Sequence, residues 1–420
     1  MMETTAVRLY GRRDLRLERF VLPPIRDDEI LAKIVSDSVC MSSHKAAEQG
    51  AAHKRVPADV GERPVIIGHE FCGAICEVGA KWRDLVRPGE KFSIQPALSD
   101  PGNVHAAPGY SFPYLGGDAT YVILPAVVME RNCLLKYEGD AFFMGSLAEP
   151  ASCIVGGFHV NYHTAPGSYE HQMGIRAGGN MALLAGVGPM GLGAIDYALH
   201  SDRRPGLLMV TDIDEARLTR AAALYPPDEA RRQGVVLRYL NTKDVPDVPG
   251  ALRAQTEDGR GFDDVFVYAP VAPVVEQADA ILAYDGCLNF FAGPTDPAFA
   301  ARFNFYNVHY MATHVAGNSG GNTDDMREAL AMMAGGKLNP AAMITHVGGL
   351  DCVVDTTLRL PEIPGGKKLI YTHLSLPLTA VDEVGRRISP ALGAIVERHG
   401  GLWHAEAEAW LLAHGRPLPG

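Results

Sequence analysis

Cysteine is scarce in this chain. The 420 residues hold seven, Cys40, Cys72, Cys76, Cys133, Cys153, Cys287 and Cys352, an odd and scattered set with no C-x-x-C pair. That excludes a disulfide framework and points to a reducing compartment. Positive charge is in deficit: 38 Lys and Arg stand against 49 Asp and Glu, a net charge of −11. Nucleic acid and anionic membranes are therefore excluded as partners, because binding phosphate arrays needs concentrated cations. Long apolar runs are missing too, so no segment is expected to span a bilayer. The first twenty residues, MMETTAVRLYGRRDLRLERF, carry charges throughout and lack the apolar stretch of a secretory signal. The expected location is the cytoplasm. Repeats and low-complexity tracts are absent.

What is present suits a large folded protein. Apolar residues make up 47% of the chain, enough for a sizeable core, and the length suggests two to three domains. Glycine is abundant, at 45 residues, which implies many tight turns and close backbone approaches.

The first 150 residues read as β-rich. TTAVRLYG, DLRLERFVL, EILAKIVSDSVC, VIIGHEFCGAICEVG, EKFSIQPAL and ATYVILP are short segments rich in Val, Ile and Leu, separated by turn residues. The Pro/Gly-rich stretch Ser99 to Gly117 reads as a long, functional or clamped loop. From about Asn180 the pattern changes to strands alternating with helices. MALLAGVG, LLMVTD, VVLRYLN, DDVFVYAP, CLNFFAG and MATHVAG supply six apolar strands, and MGLGAIDYALH, DEARLTRAAALY and VVEQADAILAY supply helices. This is the pattern of a doubly wound parallel sheet, and the fold class is α/β. After about Gly317 a helix, NTDDMREALAMMAGG, opens a tail whose GKKLIYTHLSLPL segment is a candidate strand for rejoining the first domain.

The string Gly186-Val187-Gly188-Pro189-Met190-Gly191 fits G-x-G-x-x-G and lies between a strand and a helix. Its glycines permit a tight turn, close approach to a pyrophosphate and close helix–strand packing. Asp212 ends the next strand, 21 positions beyond Gly191, where an acid holding the ribose hydroxyls is expected. A carboxylate there repels a 2′-phosphate, so NAD(H) is expected over NADP(H). The competing role for Asp212 is to cap the helix beginning near Asp214. Arg217, one turn into that helix, either approaches the adenosine ribose or is solvated.

Cys40 at a strand end, His69-Glu70, and Glu149 before Pro150 offer thiolate, imidazole and carboxylate, the donors of a catalytic zinc site with one open position. Their distance along the chain leaves open whether they converge or are a core thiol and a satisfied histidine.

The motifs Val39-Cys40-Met41-Ser42, Gly68-His69-Glu70-Phe71-Cys72-Gly73, Glu77-Val78-Gly79, Gly116-Gly117-Asp118-Ala119-Thr120-Tyr121-Val122 and Glu149-Pro150, followed by the nucleotide string, occur in the order found in the zinc-dependent medium-chain alcohol and polyol dehydrogenases. The chain resembles that family over roughly residues 5 to 375. The resemblance implies a GroES-like β-rich catalytic domain over residues 1–155, a Rossmann NAD-binding domain over 156–318, and a return to the catalytic domain with a C-terminal extension over 319–420. It makes Cys40 and His69 zinc ligands, with Glu149 or Glu70 completing the set and Glu149 slightly preferred. Ser42 matches the hydroxyl that passes a proton between the metal-bound oxygen and solvent. Ser43 and Lys45 stand where relatives commonly have Asp and His, with His44 displaced by one. Many relatives also hold a structural zinc on four clustered cysteines near Ser99–Tyr110; this stretch has none, so one catalytic zinc and no structural zinc is expected.

The same resemblance implies hydride transfer between a nicotinamide cofactor and a ketose phosphate or sugar alcohol phosphate. The basic turn His53-Lys54-Arg55 is a candidate clamp for the phosphate or a solvated surface turn. The alternatives are a dehydrogenase of free polyols or secondary alcohols, and a non-catalytic nucleotide-binding protein. Relatives are usually homodimers or homotetramers, and CLNFFAG is a candidate either to pair across an interface or to bury the core.

Overall fold

A computed structural model describes residues 2–419. The chain forms two compact units: Met1–Ser152 with Asn322–Gly420, and Cys153–Gly321.

The spine of the first unit is the strand Ile30–Val39, ILAKIVSDSV, whose residues are nearly all buried. Its first half is flanked by Cys72–Val78 on one edge and Tyr121–Leu124 on the other. Its last residues pair with Lys367–Tyr371 from the tail, in the register Lys368↔Val39 and Tyr371↔Ser36. Lys367 is thereby brought beside the end of the spine, where Cys40 follows. Ser36↔Cys72 fixes the other neighbour, so the residues just before Cys72 reach the same end. Ile34, Phe71, Ile75, Phe92, Ile94 and Leu124 fill the core on this sheet.

The C-terminal extension is packed structure. Helices Pro390–Arg398 and Ala405–His414 cover Leu369, Tyr371 and Val347, and the buried Trp403 donates its indole N–H to Tyr371 Oη at 2.7 Å. At about 25 cal/mol per Å2, a buried indole of this size stabilises the extension by several kcal/mol.

The second unit is a six-stranded parallel sheet. Asn180–Leu184 lies at its centre, with Leu207–Asp212 and then Val236–Asn241 on one side. Phe262–Val267, Leu282–Phe290 and His314–Ala316 follow on the other. The order reverses beside the central strand, as in a doubly wound nucleotide-binding fold. Two local readings are corrected. The helix drawn through VVEQADAILAY ends at Ile281, because Leu282–Tyr284 already belong to the next strand. That strand, which includes CLNF, has parallel neighbours on both sides, so the edge of the sheet is His314–Ala316.

Among the described residues no helix is long and apolar enough to cross a membrane.

Candidate active site

Cys40 stands where the spine strand turns into helix Met41–Gln49. Its backbone is extended, and it caps the helix without using its side chain, which leaves Sγ available. His69 and Glu70 follow Gly68, whose φ is +89°. A Cβ at Gly68 would lie 2.0 Å from Asp37 Oδ2 and 2.6 Å from the Asp118 nitrogen, so only glycine fits. Asp37 Oδ1 accepts from the Glu70 N–H at 3.1 Å and the Ser38 N–H at 2.7 Å, which fixes the turn.

These two segments bring the donor atoms of Cys40, His69 and Glu70 within 4.8 Å of one another. Ser42 Oγ donates to Cys40 Sγ at 3.1 Å and lies 3.2 Å from His69 Nε2. On the other side of the imidazole, Ser43 Oγ and Tyr110 Oη each lie 3.2 Å from Nδ1. Glu149, in the first turn of helix Ala148–Val160, is near enough to raise the pKa values of Cys40 and Lys367. His44 points elsewhere, its Nδ1 2.9 Å from the Thr357 carbonyl.

Burial pulls the His69 pKa down to about 4, so its imidazole is neutral and can act as a ligand. Burial and the adjacent Glu70 push the Cys40 thiol up to about 12. A thiolate at that position therefore needs a cation. Burial opposes ionisation of Glu70, but the Lys367 ammonium together with smaller contributions from His69 and Ser38 holds the carboxyl below its usual range. Lys367 Nζ donates to Glu70 Oε1, while Glu70 Oε2 is buried with no hydrogen-bond partner. A sulfur, a nitrogen and an unsatisfied carboxylate oxygen held together in a dry setting fit a zinc ion.

Sequence reasoning missed Lys367 and Tyr110. Two lysines opening an otherwise apolar strand, KKLIY, are the only trace of the first. Tyr110 comes from the long Ser99–Gly117 loop, which carries no cysteine and folds its tyrosine against His69 instead.

Two residues of the basic turn reach the same place. The His53 ring stacks on Tyr110 with centroids 5.6 Å apart, and Arg55 Cζ lies 5.3 Å above that tyrosine ring. Lys54 is exposed. Cys72 is buried against Gly145. Cys76 alternates with it along the strand Cys72–Val78. His163 lies on a two-residue strand, buried 3.1 Å from Asp264 Oδ1.

In the second unit, Gly186-Val187-Gly188 links the central strand to helix Pro189–His200, with Pro189 at its first turn and Met190 next. A Cβ at Gly191 would lie 2.2 Å from the Gly186 carbonyl oxygen, so helix and loop approach as closely as they do only because residue 191 is glycine. Gly188 caps the helix with no side-chain bond and has open space around it, which leaves free N–H groups for an anion. Asp212 Oδ1 accepts from the Ile213 and Asp214 N–H groups at 2.8 and 3.1 Å. Capping of the next helix falls to Asp214, so Asp212 does not perform it. Arg217 pairs loosely with Asp214 at 3.6 Å, and its side chain is largely exposed.

Comparison with known proteins matches the model of the zinc-binding dehydrogenases over residues 189–335 and that of the alcohol dehydrogenase GroES-like domain over residues 26–132. The chain is 52% identical to L-sorbose 1-phosphate reductase of Klebsiella pneumoniae over 100% of its own length and 99% of that protein's. It is 50% identical to mannitol-1-phosphate 5-dehydrogenase of Aliivibrio fischeri, covering 98% of each. The crystal structure of 2R,3R-butanediol dehydrogenase from Bacillus subtilis superposes with a TM-score of 0.68 at 20% identity, over 88% of this chain and 99% of that one.

Proposed function

The chain belongs to the zinc-binding dehydrogenases, a family of oxidoreductases, and from that premise we propose that it transfers hydride between a nicotinamide cofactor and a ketose phosphate or its sugar alcohol phosphate. The observation that carries the chemistry is the cluster of Cys40, His69 and Glu70 with Ser42 bridging two of them. The phosphate on the substrate rests on likeness to two sugar-phosphate oxidoreductases along the whole chain.

Cys40, His69 and Glu70 would hold the zinc, with Glu149 at hand. Zinc held there would supply a Lewis acid for the substrate's carbonyl oxygen, and the bound nicotinamide would supply the hydride. Ser42 Oγ supplies the proton that turns the resulting alkoxide into the alcohol, and it takes that proton back in the oxidative direction. Its contacts with Cys40 and His69 hold the hydroxyl at a fixed point, and its partial exposure lets solvent restore the proton. Tyr110 and Ser43 fix the plane of the His69 ring. Lys367 keeps Glu70 ionised without access to water.

The nucleotide is read by Gly186, Gly188, Pro189, Met190 and Gly191 at its pyrophosphate and by Asp212 at its ribose, which favours NAD(H) over NADP(H). Arg217 is assigned no contact with it. The absence of cysteine between Ser99 and Tyr110 supports one zinc per chain. A homodimer or homotetramer is supported by the edge strand His314–Ala316 and the neighbouring exposed Phe305, Tyr306 and Tyr310.

The test is a panel of phosphorylated and free ketoses with NADH and NADPH, with and without a chelator. Reduction of the phosphate esters with NADH, abolished by the chelator while NADH still binds, is the expected result. Turnover of free polyols alone would support the simpler polyol dehydrogenase, and nucleotide binding without any turnover would support a non-catalytic protein.

A further inference from the structure

Many cations on this acidic chain have a carboxylate beside them; the group around His53 does not. Lys45, Lys54 and Arg55 form no ion pair among the described residues. All three lie close enough to His53 that, after burial, their charges help to pull its pKa below the usual value. Lys45 sits on helix Met41–Gln49 three residues after Ser42, which puts the two on one face of the helix.

The group is built into the fold. Arg55 N–H donates to His53 Nδ1 at 3.3 Å, and Ser111 Oγ donates to the Arg55 carbonyl at 2.7 Å. Arg55 lies over Tyr110, and Tyr110 Oη touches His69. The guanidinium is therefore one tyrosine ring away from the proposed metal. Arg55 is half-buried. Leaving a partly desolvated guanidinium without a counter-anion costs stability, and a ligand that supplies the anion offsets that cost.

We propose that Arg55, with Lys45 and His53, forms a phosphate-monoester subsite that sets the enzyme's preference for a phosphorylated sugar. The proposal rests on the reaction assigned above. A guanidinium matches two phosphate oxygens at once through its fork of N–H donors, and the stacked tyrosine holds that fork in place. Lys45 adds a second charge from the Ser42 face, and a neutral His53 can donate or accept a hydrogen bond. Lys54 is exposed and contributes field only. A sugar whose carbonyl lies at the metal would thus carry its phosphate toward Tyr110 and Arg55.

The experiment compares L-sorbose 1-phosphate with L-sorbose, and inorganic phosphate as a competitor, for the intact enzyme and for Arg55→Gln, Arg55→Lys and Lys45→Gln. The exposed Arg83→Gln serves as a control. The expected result is a fall of about ten- to a hundredfold in the ratio of kcat/KM values, ester over free sugar, in Arg55→Gln. The inhibition constant for phosphate should rise in step, Arg55→Lys should recover part of the loss, and Lys45→Gln should show a smaller loss. Because Lys45 sits on an already formed helix, its variant reads the same ratio even if Arg55→Gln does not fold. An enzyme that prefers the ester, with variants that keep that preference and an unchanged phosphate constant, would overturn the subsite and leave the reaction standing. A wild type that reduces only the free sugar would overturn the substrate assignment and the subsite together.

Discussion

Lys367 and Glu70, 297 positions apart in sequence, form a buried ion pair at the edge of the proposed zinc site. The pair exists because Lys367 opens the strand that pairs with the end of the spine, and Glu70 sits just before the strand on its other edge. Removing the lysine leaves a carboxylate buried without compensation, which typically costs about 3–5 kcal/mol. Lys367→Met should lower Tm by several degrees and weaken zinc retention during dialysis. An unchanged Tm and metal content would show that the pair has no such role.

Ser42→Ala removes the one hydroxyl that, among the described residues, touches both Cys40 and His69. A loss of about 10²–10⁴ in kcat is expected, with zinc content unchanged. The pH profile of kcat should change shape as well. A variant with wild-type kcat would mean that the proton travels by another path.

Asp212→Ala should raise the KM for NADH by about ten- to a hundredfold, the range for losing hydrogen bonds to a charged group. It should also narrow the preference over NADPH, since the repulsion of a 2′-phosphate is gone. Equal affinity for NADH in the two proteins would contradict the ribose assignment.

Metal analysis of purified enzyme should give one zinc per chain. Two tightly held ions would contradict the reading of the cysteine-free Ser99–Tyr110 loop.

Glu408 supplies a pH dependence away from the metal. Burial raises its pKa to about 6, against the partly compensating N–H donors of Phe142 and Phe143 and the Tyr371 hydroxyl. The folded state therefore binds this proton more tightly than the unfolded chain. The resulting stabilisation is present in full below the unfolded value near 4.5 and is lost as pH rises through about 6. It amounts to about 2 kcal/mol. Thermal melts between pH 4.5 and 7 should show wild type losing stability relative to Glu408→Gln as pH rises. Parallel curves would refute the assignment.

Much of the molecule could be read along the chain. The nucleotide turn was legible because its function depends on neighbours within six residues, where sequence and geometry coincide. The strands of the second unit were legible from their apolar runs, although the boundary at Ile281 was misplaced, because a helix running straight into a strand leaves no polar break. Cys40 and His69 were legible as chemistry and as motif, but their convergence was not.

The sequence by itself determined which groups are available: one thiol, imidazole and carboxylate set, a serine two residues past the thiol, a glycine turn for pyrophosphate, and no second cluster of cysteines. Tertiary structure alone decided which of them meet. It set Glu70 with Cys40 and His69, joined Lys367 to Glu70, and folded Tyr110 between His69 and Arg55. Those contacts depend on strand register and on a loop closing over many tens of residues, and side-chain identity along the chain carries no measure of either.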